Sequence, residues 1–351
     1  MAVLLFLFSL LPSTIYGFAV LGYLPEWRYH AANYVTLSHH LTHLIFFSAE
    51  PLPSGELTGL DRLPSAAVLA EARAAAAATG TQLLFCFGGN GRSGGFSEVV
   101  RSPQKTARFA AAAAALVKQR GVHGVDINYE YPGYTFGTGY APDAEVERDY
   151  AGLARLLAAL RAALPPGAPL TLAYYPDGRQ EALLLKHGAH EHVDFMHMMT
   201  YDQSGGPHAP RDFALRAMDG GLAAGLPRGK LTLGLPFYGR SSASGDWTTY
   251  EDLVQRHAPL RADADAAPGS KKGEVVHFNG RATIAQKVRD ARARGLGGVM
   301  VWEAGQDCRL AAVTRGGQTH GVTCPEGEAS SLLFALSAAV AESEAAAVEE
   351  L

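Results

Sequence analysis

Short apolar runs along the chain alternate with longer stretches in which apolar residues recur at helical spacing. The runs are Phe18–Leu24, Leu41–Phe47, Gln82–Phe87, Gly124–Glu130, Leu170–Tyr175, Val193–Tyr201, Lys230–Phe237 and Gly298–Trp302, and they read as strands. Between them, Ala66–Thr79, Pro103–Arg120, Asp143–Leu164, Arg211–Ala224 and Thr283–Arg294 carry helix patterns. Several are closed by a glycine that can supply a left-handed cap: Gly80, Gly121, Gly225 and Gly295. Parallel strands need crossovers of about a dozen residues or more, and these spacings fit them. Eight repeats favour a closed barrel over a doubly wound sheet, and no Gly-x-Gly-x-x-Gly follows the first strand to argue for a dinucleotide fold. The expected fold is therefore α/β, a single-domain (β/α)8 TIM barrel.

Three segments fall outside the alternation. Ser241–Phe278, rich in Gly, Ser, Asp and Ala, reads as a long rim loop too small to be a second domain. Residues 326–351, apolar over Leu332–Val340 and then Glu-rich, read as a loosely attached helix or a disordered tail. At the other end, Ala2–Leu11 is apolar apart from Ser9 and is broken by Pro12, Ser13, Thr14 and Gly17. An apolar core of about ten residues is short for a span that needs about 20, so residues 1–17 read as a signal peptide. The barrel is then expected over 18–325, in a secreted protein or one of the endomembrane lumen.

Composition narrows the chemistry. Charged residues make up 18% of the chain and the net charge is −4, so no basic field exists for nucleic acid or an anionic membrane surface. Of three cysteines, Cys308 and Cys324 lie close together in a polar, Gly-rich stretch and Cys86 sits inside an apolar run. The first two read as a disulfide and the third as a small core residue, with free thiols at all three as the alternative. His187, His190 and His192 are loosely ligand-like in spacing but fall in a solvated loop, so no metal is expected there.

The segment His123-Gly124-Val125-Asp126-Ile127-Asn128-Tyr129-Glu130-Tyr131-Pro132 carries the strongest chemical signal. Side chains alternate faces along a strand, which puts Val125, Ile127 and Tyr129 on one face and Asp126, Asn128 and Glu130 on the other. In a barrel the apolar face meets the helices, so the polar trio points into an interior normally filled by branched aliphatics. Such groups cost stability unless they are paired or used. Glu130 comes last, just before Pro132, at the C-terminal rim where barrel active sites lie. Two carboxylates that cut a glycosidic bond stand about 5 to 9.5 Å apart. Asp126 and Glu130, four residues apart at about 3.3 Å each, are near 13 Å along the backbone. That spacing suits one acid with polar helpers and a nucleophile supplied by the substrate.

This segment resembles the active-site strand of glycoside hydrolase family 18, the chitinases and their relatives, with the motif D-x-x-D-x-D-x-E. The resemblance extends over roughly Phe18 to Cys324. Cys86-Phe87-Gly88-Gly89 stands where the family has Ser-x-Gly-Gly, and Met199-Thr200-Tyr201-Asp202 where it has Met-x-Tyr-Asp. Gly234–Arg240 and Gly298–Glu303 match its seventh and eighth strands. The resemblance implies Glu130 as general acid and then base, and Tyr201 as a hydrogen-bond partner of the substrate acetamido group. It further implies Met199 and Asp202 as pocket lining and Trp302 as the floor, with Tyr23, Trp27 and Tyr131 as further sugar contacts or rim packing. A flat indole suits the apolar face of a pyranose.

The chain departs from that motif at two positions while keeping Asp126 and Glu130. His123 stands for the first aspartate and Asn128 for the one two before the catalytic glutamate, so an acceptor is retained there without its charge. His123 and His197 are both expected to feed the barrel interior, either as a neutral pair beneath Asp126 or bonded separately to backbone. The function implied is retaining, substrate-assisted hydrolysis of β-1,4-linked N-acetylglucosamine polymers or oligomers, without metal or cofactor. The alternative is a weakly active or inactive lectin-like protein that binds the same polysaccharide or oligosaccharide.

Overall fold

The computed structural model describes residues 17–204 and 206–349, with side chains through residue 343. The signal-peptide reading of 1–17 therefore lies, apart from Gly17, outside the described residues. Eight parallel strands form the core: β1 Ala19–Pro25, β2 His43–Pro51, β3 Gln82–Gly88, β4 Gly124–Asn128, β5 Leu170–Tyr174, β6 Phe195–Met198, β7 Leu231–Pro236 and β8 Gly298–Trp302. Neighbours pair in chain order, and β8 pairs with β1 to close the ring. These are the eight segments that the apolar runs mark, so the chain is a single-domain (β/α)8 barrel.

The outer layer is α1 Tyr34–His40, α2 Ala66–Thr79, α3 Pro103–Arg120, α4 Asp143–Ala163, α5 Arg179–Lys186, α6 Arg211–Ala223, α7 Arg281–Ala293 and α8 Leu332–Glu349. Their ends show why the sequence breaks where it does. Ser65 accepts the Val68 N–H to start α2, and Gly80 ends it at φ 80°; Ser102 accepts the Lys105 N–H ahead of α3, and Gly121 ends that helix at φ 61°. A side chain with a Cβ resists that left-handed conformation, which stops the helix and turns the chain toward the next strand.

Burial divides into two layers, as strand alternation requires. Val125, Ile127 and Tyr129 join Phe109, Leu153 and Leu157 between barrel and helices. Leu21, Tyr23, Ile45, Leu84, Cys86 and Met300 fill the interior. Asp126 and Asn128, on the other face of β4, are buried inside the ring, and Glu130 follows at its rim.

Two segments are more ordered than their composition suggests. Across the expected rim loop and the three residues before it, Tyr238–Ser241, Trp247–Thr249, Val275–His277 and Ala266–Pro268 form a four-stranded antiparallel sheet with a short helix at Tyr250–Arg256. Its strands are only three or four residues long, too short for a periodic signal, and Leu253, Val254, Val276 and Phe278 anchor it to the core. The segment after residue 325, expected as a loose helix or tail, contains α8. Leu332, Leu336 and Ala339 form a buried stripe at helical spacing, and α8 packs against α7 and α1 as the eighth outer helix. Cys308 and Cys324 are disulfide-bonded, and Cys86 is free and buried.

Candidate active site

The site begins in β4. Asp126 is fully buried, level with Cys86 on β3 and Thr171 on β5. The Tyr23 hydroxyl donates to its Oδ2 at 2.8 Å and the Thr171 hydroxyl to its Oδ1 at 2.7 Å. Burial pushes its pKa up, while Thr171, Tyr23 and the Cys86 thiol hydrogen-bond the anion and pull it back. One pleat higher, Asn128 is buried with Oδ1 unpaired, and its side chain hydrogen-bonds the Glu130 carboxylate.

Glu130 sits at the rim, its backbone N–H donating to Ser93 Oγ at 3.1 Å. Burial pushes its carboxyl up to about 7; hydrogen bonds from Asn128, the Asn90 backbone and Tyr131 oppose this, and the charge of Asp202 adds to it. A carboxyl with that proton affinity populates both protonation states near neutrality, as a group that gives a proton and then takes one must.

Around it opens a cleft of about 750 Å³ at the C-terminal end of the strands. Glu130, Asn128, Tyr131, Met199, Tyr201 and Asp202 all line it, as do Tyr23 and Trp302. Asp126 does not; it lies beneath. Trp302 is braced edge-on by Phe47 at 4.8 Å and Tyr23 at 5.4 Å between ring centroids, so its indole is held at a fixed angle. Tyr201 is buried, with its hydroxyl 3.8 Å from Met300 Sδ. Asp202 takes the left-handed conformation at φ 59°, and its Oδ1 accepts from Tyr238 at 2.8 Å and from Arg240 at 3.1 Å. Burial raises the Asp202 pKa, but His208, Tyr238 and Arg240 outweigh it and hold the carboxyl below its usual range.

The cleft also gathers aromatics that the strand motifs do not contain. Tyr134, Phe136 and Tyr140 come from a hairpin after β4, Tyr175 from the end of β5, and Trp247 from the inserted sheet. Trp247 stacks on Tyr238 at 4.3 Å with the planes 4° apart. The readable signal for these is an exposed aromatic in a loop-like stretch, as at Phe136 and Trp247.

The histidine pairing proves different. His123 is exposed, and its Nδ1 accepts the Leu83 N–H at 2.8 Å; it shares the parity of Val125 and so faces away from the interior. His197 alone of the two lies beneath Asp126, bonded to the Thr232 hydroxyl and not to backbone. His187 pairs with Glu147 at 2.7 Å and His190 Nδ1 lies 3.4 Å from the Leu184 carbonyl, each on its own partner.

A (β/α)8 barrel with an aromatic-lined cleft at the C-terminal ends of its strands and a high-pKa carboxyl, Glu130, at the rim is the class of fold and site that the chain presents. The particular family follows from sequence: the model for glycosyl hydrolases family 18 matches residues 19–307, and the chain belongs to that family. It is 28% identical over 274 residues to Chitinase C of Streptomyces lividans, covering 64% of this chain and 42% of that protein. It is 28% identical over 273 residues to Chitinase 1 of Aphanocladium album, covering 64% and 61%. The match thus spans less than two thirds of either relative. The fold is shared with a chitinase from Bacteroides thetaiotaomicron (TM-score 0.71, 20% identity, 93% of this chain and 97% of that one). It is also shared with Ostrinia furnacalis Group IV chitinase in complex with allosamidin (TM-score 0.73, 19% identity, 92% and 99%).

Proposed function

We propose that this protein hydrolyses β-1,4-linked N-acetylglucosamine chains with retention of configuration, Glu130 protonating the glycosidic oxygen and the substrate's own 2-acetamido carbonyl attacking the anomeric carbon. The observation that carries the reading is the rim carboxyl of Glu130, pushed up to about 7 in the aromatic cleft. The nearby carboxylates are engaged elsewhere: Asp126 lies below the lining with Tyr23 and Thr171, Asp202 is bound by Tyr238 and Arg240, and Asp177 accepts from the Tyr140 hydroxyl and the Arg179 and Gln180 N–H groups. This leaves the nucleophile's place to the substrate. Asn128 Oδ1, buried and unpaired at the cleft wall, suits the acetamido N–H, and the Tyr201 hydroxyl suits its carbonyl. The named relatives are chitinases, which supports N-acetylated oligosaccharides as the ligand class. The Cys308–Cys324 bond supports a secreted or luminal location, since disulfides persist in oxidising compartments.

One observation favours the lectin-like alternative. Asn128 carries no charge to face a cationic intermediate, so binding without turnover also fits this site. A labelled chitooligosaccharide ladder, read for cleavage and for retained binding, separates the two. For the enzyme, Glu130→Gln abolishes turnover while binding and fold persist, because it removes the proton donor and little volume. Cleavage by the variant at the parent rate assigns the acid elsewhere; tight binding without cleavage by the parent supports the lectin.

A further inference from the structure

Asp126 is approached from four other strands. Tyr23 on β1, Cys86 on β3 and Thr171 on β5 donate to it, and His197 on β6 lies against its remaining side. His197 is fully buried. Its Nδ1 is 2.7 Å from the Thr232 hydroxyl on β7, and its Nε2, which makes no hydrogen bond, stands 3.6 Å from Asp126 Oδ1. Burial pushes the ring's pKa down to about 3, with neighbouring His43 on β2 adding to the effect, so it is neutral at ordinary pH and has one N–H to place.

The two placements are not equivalent. With the proton on Nδ1, the ring donates to Thr232, whose hydroxyl must then turn to the Met196 carbonyl at 3.4 Å. The Nε2 lone pair would then face a carboxylate oxygen in a dry interior. With the proton on Nε2, Thr232 donates to Nδ1 over the short contact and the N–H faces the anion. The second arrangement pairs Nδ1 and turns the Nε2–H toward the anion 3.6 Å away, whereas the first sets a buried lone pair against it, which is costly.

We infer that Thr232 holds His197 as its Nε2–H tautomer, and that His197 is thereby a positioning residue that turns a donor toward Asp126 and favours its anion beneath the cleft. The consequence rests on the glycosidase reading of the site. Residue 128 brings no charge, so the anion nearest below it on the same strand face, two residues or about 7 Å away, takes on that role. The other titratable groups around the pair are Tyr201 just after β6, Glu130 just after β4 and His43 beside His197, with the Arg92 cation acting on Cys86 and the Asp202 anion on Tyr201. The His197 N–H therefore adds to the Thr171, Tyr23 and Cys86 donors that favour the Asp126 charge.

The sign follows. Removing a donor to the anion raises the Asp126 pKa, so the acid limb of the pH–rate profile moves to higher pH while the alkaline limb set by Glu130 stays. His197→Leu should move the acid limb up by about one unit, whereas His197→Gln, which retains an N–H donor, should move it less. Thr232→Val, which frees the tautomer, should shift it the same way and covers failure of His197→Leu to fold. Long-range proton–nitrogen spectra of the histidine-labelled protein read the tautomer directly, His197 being the ring lost in His197→Gln. The Asp126 carboxyl carbon shift gives the same pKa without turnover. A neutral Nε2–H ring and a raised Asp126 midpoint in the Leu and Val variants are expected. An Nδ1–H ring, or an Asp126 midpoint unmoved in those variants, overturns the inference. A parent that cleaves nothing overturns the proposed activity alone, because the ring and carboxyl spectra report independently.

Discussion

Glu130 carries two opposing influences: burial that disfavours its charge, and hydrogen bonds from Asn128, the Asn90 backbone and Tyr131 that favour it. Changing Asn128 to Asp replaces a donor with a second acidic group, so the Glu130 proton is held more tightly. The alkaline limb of the pH–rate profile, expected near pH 7 in the parent, moves upward in that variant. Under the proposed mechanism turnover should rise as well. At about 4 Å and an effective dielectric near 20, opposite unit charges attract by about 4 kcal/mol, which bounds what a restored anion offers a cationic intermediate. Desolvation of the new carboxylate takes back much of this, leaving a gain of one to two decades, about 1.4 kcal/mol each. Paired pH–rate profiles on one chitooligosaccharide check it, and superimposed profiles in two active proteins sink the charge argument. Trp302→Ala removes the ring braced by Phe47 and Tyr23, so calorimetry should show weaker oligosaccharide binding whether or not the protein turns over. Unchanged affinity dismisses Trp302 as the floor.

Among the elements, those that build the cleft beyond the strand ends are the least regular in sequence. The inserted sheet brings Trp247 over Tyr238, and the Tyr140 hydroxyl, on the hairpin after β4, donates to Asp177 at 2.6 Å, tying that hairpin to the β5 loop. The segment after β8 depends on a covalent tie. Cys308 and Cys324, 16 residues apart, enclose the small Val313–Arg315 and Gln318–His320 ladder and bring the chain round to α8. Closing a loop of that length stabilises by about 3 kcal/mol in the chain-entropy account. The double change Cys308→Ser, Cys324→Ser should lower unfolding stability by that order in urea. Mass analysis of unreduced protein should find the 308–324 link, with Cys86 alkylated only after unfolding. Unaltered stability, or a link through Cys86, contradicts this arrangement.

Across the whole molecule, a rim carboxyl held near pH 7 works against folding. Its pKa is raised from 4.5 to about 7, so between those values the unfolded chain gives up the proton first and stability falls as pH rises. Glu130→Gln removes this penalty. The variant should match the parent near pH 4 and exceed it at pH 8 by up to about 3 kcal/mol, at about 1.4 per pKa unit. Thermal unfolding at both pH values tests it, and a difference that does not grow with pH refutes the raised proton affinity. The sequence by itself determines what short-range physics encodes. Apolar runs, helix periodicity and glycine stops announced eight strands and most of the helices, and alternation along β4 turned Asp126, Asn128 and Glu130 inward. Parity alone also turned His123 outward, a signal that its match to an aspartate position obscured. Three matters waited for the tertiary structure: the folding of 238–277 into a sheet that carries Trp247 to the rim, the docking of α8 on α7 and α1, and the bond of His197 to Thr232. Each joins groups far apart in sequence through packing, and a local pattern has no access to which distant surface a segment will bury against.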